Sequence, residues 1–93
     1  PFIEEAVNLA TAGVIPGGTH KNHAFVKDNV DFGNRSRLDE LLLCDAQTSG
    51  GLLIVVNENQ SEKLLSALHE QGISNAVAIG MFTSKGNGKI YIK

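Results

Sequence analysis

The spacing of hydrophobic residues along the chain predicts three short helices. From Phe2 to Ala12, apolar residues recur at the i, i+3, i+4, i+7 spacing of one helical face, and Gly13 stands where a helix commonly ends. The segment from Leu38 to Cys44 carries leucines behind an acidic first turn, which suits the positive end of a helix dipole. A third leucine pattern runs from Gln60 to Gln71 and stops at Gly72. We therefore expect a helix in each of these three segments.

The same pattern predicts three strands. Leu52 to Val56 is a continuous apolar run of strand length, which is typical of a central strand covered on both faces. Ala76 to Thr83 resembles a second strand, and Lys89 to Lys93 alternates polar and apolar residues like a half-buried strand. Lys85 to Gly88 suits a hairpin turn between the last two. The expected fold class is α+β, with helices packed on a small mixed or antiparallel sheet.

Glycine-rich turns interrupt this pattern at two places, Val14–Thr19 and Asp45–Gly51. Each turn allows two interpretations. Paired glycines let backbone N–H groups approach an anion closely, and loops that lead into strands commonly carry function. Glycine and proline are also the ordinary residues of a turn that only ends a helix. The polar segment from His20 to Arg37 predicts an irregular connection with about one turn of helix.

Composition and charge narrow the function classes. The chain has 93 residues, of which 42% are hydrophobic, and a net charge of −2, so we expect one folded domain over residues 1–93 and no binding to nucleic acid. No apolar run reaches the length that crosses a membrane, and one cysteine cannot form an internal disulfide. We expect a cytoplasmic location and no membrane partner. The first residue is Pro1 and not Met, and helical periodicity begins immediately after it, so we expect a piece of a longer protein.

Isolated polar residues give only weak signals of chemistry. His20 and His23 lie near Asp28, but without a cysteine pair or a second carboxylate they fit solvated loop residues better than a metal site. Cys44 closes a leucine run, which favours an inert buried thiol over a nucleophile. Asp45 remains open as a magnesium ligand, whereas His69 fits a surface position. Our site prediction therefore contains no catalytic residue and no metal ligand.

The two glycine turns carry a family resemblance. Residues 13–22 resemble the G-V-x-P-G-G-T-x-x-N segment of the selenophosphate synthetases, also called selenide, water dikinases. Residues 42–53 resemble the L-L-C-D-P-Q-T-S-G-G-L-L segment of the same family, with Ala46 in place of the proline. Two long motifs in the right order, followed by Ile79-Gly80 after the last helix, are specific and cover most of the chain.

This resemblance implies an enzyme that uses ATP and magnesium to phosphorylate selenide, releasing selenophosphate, AMP and orthophosphate. It also implies the fold of the superfamily of aminoimidazole ribonucleotide synthetase, in which an N-terminal half forms the dimer and the nucleotide site. The chain resembles the later part of the C-terminal α+β half, so residues 1–93 would be an incomplete domain. The family's reactive cysteine or selenocysteine, its lysine and its metal-binding aspartates lie upstream and have no counterpart here.

We therefore expect a catalytically inert fragment that binds neither ATP nor magnesium alone, and whose partner is the missing N-terminal half of the same chain, in a homodimer. In the whole enzyme, the glycine turns would line the cleft between the halves and hold phosphate oxygens or exclude water. The cleft residues would be Gly17, Gly18, Thr19, Asn22, Asp45, Gln47, Thr48, Ser49, Gly50 and Gly51. The alternatives are a related superfamily kinase or synthetase with another acceptor, a domain that only supports folding or association, and an independent anion-binding module.

Overall fold

The structure, a computed structural model, describes residues 2–83 and 86–93 and has an α+β fold, as predicted. Four helices and two short strands follow one another in the described chain. They are α1 (Glu4–Thr11), α2 (Gly17–Val26), β1 (Val30–Asp31), α3 (Arg37–Leu43), α4 (Glu58–Glu70) and β2 (Ile90–Tyr91).

The described residues fall into two compact units. The first, here called the three-helix unit, comprises residues 2–49 and 86–93, with α1, α2, α3 and both strands. The second, called the α4 unit, comprises Gly50–Thr83 and contains α4. The expected single incomplete domain over residues 1–93 stays a prediction.

All three predicted helices are confirmed, with ends that the sequence explains. Helices α1 and α4 are each followed by a glycine with positive φ, Gly13 at +81° and Gly72 at +84°, a conformation that a residue with a Cβ rarely adopts. Helix α3 begins with a capping box that the hydrophobic pattern did not reveal. The Ser36 hydroxyl accepts from the Asp39 backbone N–H, and the Asp39 carboxylate accepts from the Ser36 N–H.

Helix α2 corrects the sequence interpretation. The segment after Pro16 was expected to be a turn and then an irregular connection, yet ten residues form a regular helix. Pro16 is the N-cap residue with extended backbone, and Gly17 is the first helical residue. The apolar periodicity is weak because the buried face of this helix is polar: His23 contacts Glu40 of α3, and Thr19 contacts Asp45 just after α3.

The expected strands at Leu52–Val56 and Ala76–Thr83 are wrong. Neither segment pairs with another strand in the part of the chain that the structure describes. The predicted burial of the first segment is also wrong, since its exposure runs from 91% at Leu52 to 38% at Val56. A strand requires a partner edge for its backbone groups, and hydrophobicity by itself does not supply one.

The sheet has a different partner and direction from the prediction. Strand β2 pairs in parallel with β1, with Val30 opposite Ile90 and Asp31 opposite Tyr91. The prediction of a mixed or antiparallel sheet, with β2 in a hairpin after residue 83, is therefore wrong. The hairpin turn itself, expected at 85–88, falls partly outside the described residues.

The core of the three-helix unit is half polar. Its buried residues are the hydrophobic Ala10 and Leu41 and the polar Thr19 and His23. Helix α1 supplies the first, α3 the second and α2 the polar pair. No buried side-chain nitrogen or oxygen among the described residues lacks a hydrogen-bond partner, so the polar half of this core is satisfied internally.

A helix of the length and hydrophobicity needed to cross a membrane does not occur in residues 2–83 and 86–93.

Candidate functional site at the joined motifs

The fold brings the two glycine-rich motifs together through Thr19. This residue lies in the first turn of α2 and is only 1% exposed. Its hydroxyl donates to the Asp45 carboxylate at 3.0 Å and accepts from the Ala46 backbone N–H at 3.3 Å. One hydroxyl therefore joins motifs that are more than twenty residues apart in sequence.

Two further contacts bring α2 and the second motif close together. The Asn22 side-chain amide donates to the Cys44 carbonyl at 3.1 Å. A Cβ added at Gly18 would lie 3.0 Å from the Ala46 Cβ, closer than ordinary van der Waals contact. Glycine at position 18 therefore permits the approach of the Asp45 loop to the start of α2.

The remaining predicted site residues are exposed. Gln47, Thr48 and Ser49 continue the loop after Ala46 on the surface of the three-helix unit. Ser49 has a φ of +59°, a left-handed conformation that costs a non-glycine residue energy and often occurs at functional sites. Gly17 is also exposed, and a Cβ there would meet nothing within 4 Å.

Gly50 and Gly51 belong to the α4 unit. Both are exposed, and a Cβ at Gly51 would also meet nothing within 4 Å. The structure thus joins Gly18, Thr19, Asn22 and Asp45 directly in the three-helix unit. The assignment of all ten residues to a cleft stays a prediction.

A buried polar cluster lies one helical turn beyond Thr19 and was missed by the sequence interpretation. His23 was expected to be a solvated loop residue, but it is only 7% exposed. Its Nε2 lies 2.7 Å from Glu40 Oε2, and Arg37 Nη1 lies 2.5 Å from Nε2 and 2.8 Å from Nδ1. The imidazole is thus in contact with both a carboxylate and a guanidinium. The imidazole also stacks on Phe32, with ring centroids 5.5 Å apart.

The sequence does contain one signal for this cluster. Thr19 and His23 are four residues apart, and residues at that spacing share a helix face. Arg37 and Glu40 are three residues apart on α3, a spacing that also places side chains on one helix face. Their side chains form an ion pair at 3.0 Å. A polar face of this kind does not register in a search for hydrophobic periodicity.

Two side chains at this interface have shifted pKa values. The hydrogen bond from His23, and then that from Arg37, lower the pKa of Glu40 below its ordinary value of 4.5 because both stabilise the carboxylate. Burial raises the pKa of the Cys44 thiol above its ordinary value of 9.0 because it disfavours the thiolate. A thiol that is harder to ionise fits the expected inert role of Cys44.

The other titratable candidates do not form a cluster. His20 is exposed, as expected, and His69 is exposed with its Nε2 2.9 Å from the Ala76 carbonyl oxygen. Across residues 2–83 and 86–93, no group of three or more His, Cys, Asp and Glu side chains could hold a metal ion.

An open, mostly apolar pocket of about 500 Å³ lies beside the joined motifs. Helix α1 lines one side with Leu9, α3 lines another with Leu42, and Val14 belongs to the connection between α1 and α2. Thr19 and Asp45 contribute its polar end. The pocket thus extends from the hydrogen bond that joins the motifs along the apolar face of α1.

Comparison with known proteins identifies the class. The family described as AIR synthase related protein, C-terminal domain, matches residues 18–93, which is more than half of the chain. The chain therefore belongs to the AIR synthase related proteins, as a C-terminal domain.

Within this class, the curated relatives share one name. The chain is 42% identical over 81 residues to the selenide, water dikinase of Aliarcobacter butzleri, covering 86% of the chain and 24% of the relative. It is 47% identical to that of Pelobacter propionicus, covering 86% of the chain and 23% of the relative. It is 38% identical to that of Carboxydothermus hydrogenoformans, covering 100% of the chain and 27% of the relative.

The resemblance to the selenophosphate synthetases is thereby confirmed. The chain spans about a quarter of the length of the curated relatives it matches, at their C-terminal part. No solved structure matches the chain.

Proposed function

We propose that this chain is the C-terminal part of an ATP-dependent enzyme that phosphorylates selenide to selenophosphate, giving AMP and orthophosphate. The observation that carries the proposal is the hydrogen bond from Thr19 to Asp45, which joins the two motifs of the resemblance. The relatives named selenide, water dikinase support the same activity. The rest of the enzyme, its ATP-binding half and its homodimer contact would be supplied by chain outside these 93 residues, in the cytoplasm.

Within that enzyme, the joined motifs have two distinct roles. Thr19 and Gly18 hold the motifs together, since the hydroxyl of Thr19 is buried and hydrogen-bonded and Gly18 contacts Ala46. The exposed Gly17, Thr48 and Ser49 would face the phosphate groups or close the cleft against water. Backbone N–H groups in the first turn of a helix lack intrahelical acceptors, so the N–H of Gly17 is suited to a phosphate oxygen.

ATP and magnesium fit the chain to different degrees. The N-terminus of α2 provides the kind of donor that phosphate oxygens accept from. ATP supplies the phosphoryl group when it is bound. For magnesium, the described residues contain no cluster of three or more His, Cys, Asp and Glu side chains. The proposal therefore places the magnesium ligands in the part of the enzyme outside these 93 residues, as the resemblance implies.

The experiment is a chimera in which this chain replaces the matching C-terminal part of the Carboxydothermus hydrogenoformans relative. We expect the chimera to form selenophosphate and AMP only when selenide is present. Phosphorus NMR detects both products. A folded chimera with no selenide-dependent product would contradict the proposal.

Variants of the chimera then test the predicted residues. Thr48→Ala and Gly50→Val should lower selenide-dependent ATP consumption, and Ser66→Ala on α4 is the control hydroxyl. Gly17→Ala and Gly51→Ala are more specific tests of a contact from outside the chain. An added Cβ meets nothing within 4 Å at either position, so neither variant creates a clash within the chain. A loss of activity there would report a ligand or a neighbour from the rest of the enzyme. Gly80→Ala, with equally open space, is their control.

One observation favours a second candidate, a domain that only supports folding or association. Gly18, Thr19 and Asn22 make their contacts within the chain itself, as a purely structural turn would. This alternative predicts that the variants Thr48→Ala and Gly17→Ala change the melting temperature of the chimera but not its turnover.

A further inference from the structure

We propose that His23 and Glu40 are positioning residues for the joined motifs. Their hydrogen bond fixes α2 against α3 and thereby holds the loop from Asp45 to Ser49 at the start of α2. The proposal rests on the proposed function. It adds two residues, His23 and Glu40, that lie outside both motifs.

The geometry that supports this is a row of polar contacts between two helices. At one end of the row, Thr19 contacts Asp45, the second residue after α3. In the middle, Asn22 contacts the Cys44 carbonyl, and at the other end His23 contacts Glu40. The order of partners reverses along the two segments, so α2 and α3 run in opposite directions along this row. We call these three contacts the polar row.

The polar row sets position more tightly than an apolar contact would. A hydrogen bond needs a narrow range of distance and direction, whereas apolar surfaces can slide past one another with little change in area. Thr19 and His23 are buried, so a shift that broke their bonds would leave polar atoms without partners in a region that water does not reach. Sliding of α2 along α3 is thus opposed at both ends of the row.

His23 is fixed from three sides. Glu40 Oε2 lies 2.7 Å from its Nε2, Arg37 Nη1 contacts both of its ring nitrogens, and Phe32 stacks on its ring face. Arg37 also donates to Glu40 at 3.0 Å, which orients the carboxylate toward the imidazole. This arrangement leaves neither His23 nitrogen free for a ligand, so the cluster acts on the motifs through position.

The test compares kcat in the chimera for variants that break the row in different ways. Glu40→Ala and His23→Phe should lower kcat about 10-fold, the scale of a misplaced catalytic loop, with KM for ATP unchanged because neither residue contacts a ligand. His23→Phe keeps a ring against Phe32 and loses only the hydrogen bonds. Glu40→Gln retains an oxygen that can accept from His23, so it should stay within about 3-fold of the parent.

Asp39→Ala is the matched control for stability. It removes the capping box of α3 without touching the polar row. We expect a lower melting temperature with kcat within about 2-fold of the parent, measured where every variant is fully folded. If Asp39→Ala and Glu40→Ala lower kcat equally for the same loss of melting temperature, the cluster is only structural and the proposal is overturned.

A second measurement is independent of activity. In the 93-residue chain, hydrogen exchange reports the Ala46 amide, which donates to Thr19 in the parent. His23→Phe and Glu40→Ala should speed the exchange of this amide, whereas Asp39→Ala should not. The amides of α4 serve as the reference. Unchanged Ala46 exchange in both row variants would overturn the positioning role even if the chimera is active. Faster Ala46 exchange in the two row variants of the 93-residue chain, together with a parent chimera that is inactive, would support the positioning role and count against the proposed function alone.

Discussion

The two units of this chain differ in whether their hydrophobic segments are buried. In the three-helix unit, Leu41 is 6% and Ala10 is 7% exposed, and the other buried side chains are polar. In the α4 unit, no residue is buried, and the strongest apolar run in the sequence, Leu52–Val56, is exposed. Hydrophobic sequence therefore does not ensure burial in a chain of this length.

The difference shows what completes a small core. The three-helix unit brings non-local partners to each other, such as Thr19 to Asp45 and His23 to Glu40. The hydrogen bonds found in the α4 unit are local, such as that from the Ile73 N–H to the Leu68 carbonyl and the contact of His69 with Ala76. Uncovered apolar surface of this extent is typical of an interaction surface. Such exposed apolar surface fits a chain that spans about a quarter of the length of its curated relatives.

The sharpest way to break this comparison is a matched pair of leucine truncations. Leu41→Ala should lower the free energy of unfolding by about 3 kcal/mol, because it removes buried methyl groups and leaves a cavity. Leu53→Ala should change it by less than about 0.5 kcal/mol, since that side chain is 75% exposed. Urea unfolding of the 93-residue chain measures both. Equal losses would mean that Leu53 is buried in solution.

The next largest effect is expected at the hydroxyl that joins the motifs. Thr19→Val keeps the shape of the side chain but removes its bonds to Asp45 and Ala46, and should cost about 2 kcal/mol. Thr11→Val is the control, because its hydroxyl bonds to the Val7 carbonyl at an exposed position. A loss at Thr19 no greater than that at Thr11 would show that the buried polar contact does not stabilise the unit.

A smaller effect tests the close approach of the motifs. Gly18→Ala should cost about 1 kcal/mol, because the new methyl group lies 3.0 Å from the Ala46 Cβ and the loop must move by a few tenths of an ångström. Adding Ala46→Gly removes the opposing methyl group and should restore part of the loss. Thermal unfolding of both single variants and the double variant measures the coupling. Simple additivity would contradict the contact.

The smallest effect concerns pH. Because the folded-state pKa of Glu40 is lowered, its contribution to stability is present above its unfolded value of 4.5 and is lost as pH falls through the lower folded value. Glu40→Gln should therefore flatten the loss of stability in acid below pH 4.5. Glu62→Gln on α4, an exposed carboxylate in the other unit, is the control. If Glu40→Gln and Glu62→Gln lose stability equally below pH 4.5, the His23–Glu40 pair is not the source of the acid sensitivity.

Local signals in the sequence predicted much of the helical structure. Three helices followed from apolar periodicity, and the glycines after α1 and α4 ended them as expected, since positive φ is a property of the residue itself. The motif residues Thr19 and Asp45 were also identified, although as cleft residues and not as partners. Helix α2 and the His23 cluster were missed, because their stability comes from side chains far apart in sequence.

The sequence by itself determined the helices α1, α3 and α4, the α+β class and the family, because these depend on local patterns and on motif residues read in order. Only the tertiary structure decided that His23 is buried, that β2 pairs with Val30–Asp31 in parallel, and that Leu52–Val56 is left uncovered. Each of these depends on which distant segment is available as a partner. A hydrogen bond or a buried surface forms between two segments. The pattern of residues along one segment does not show which other segment it will contact.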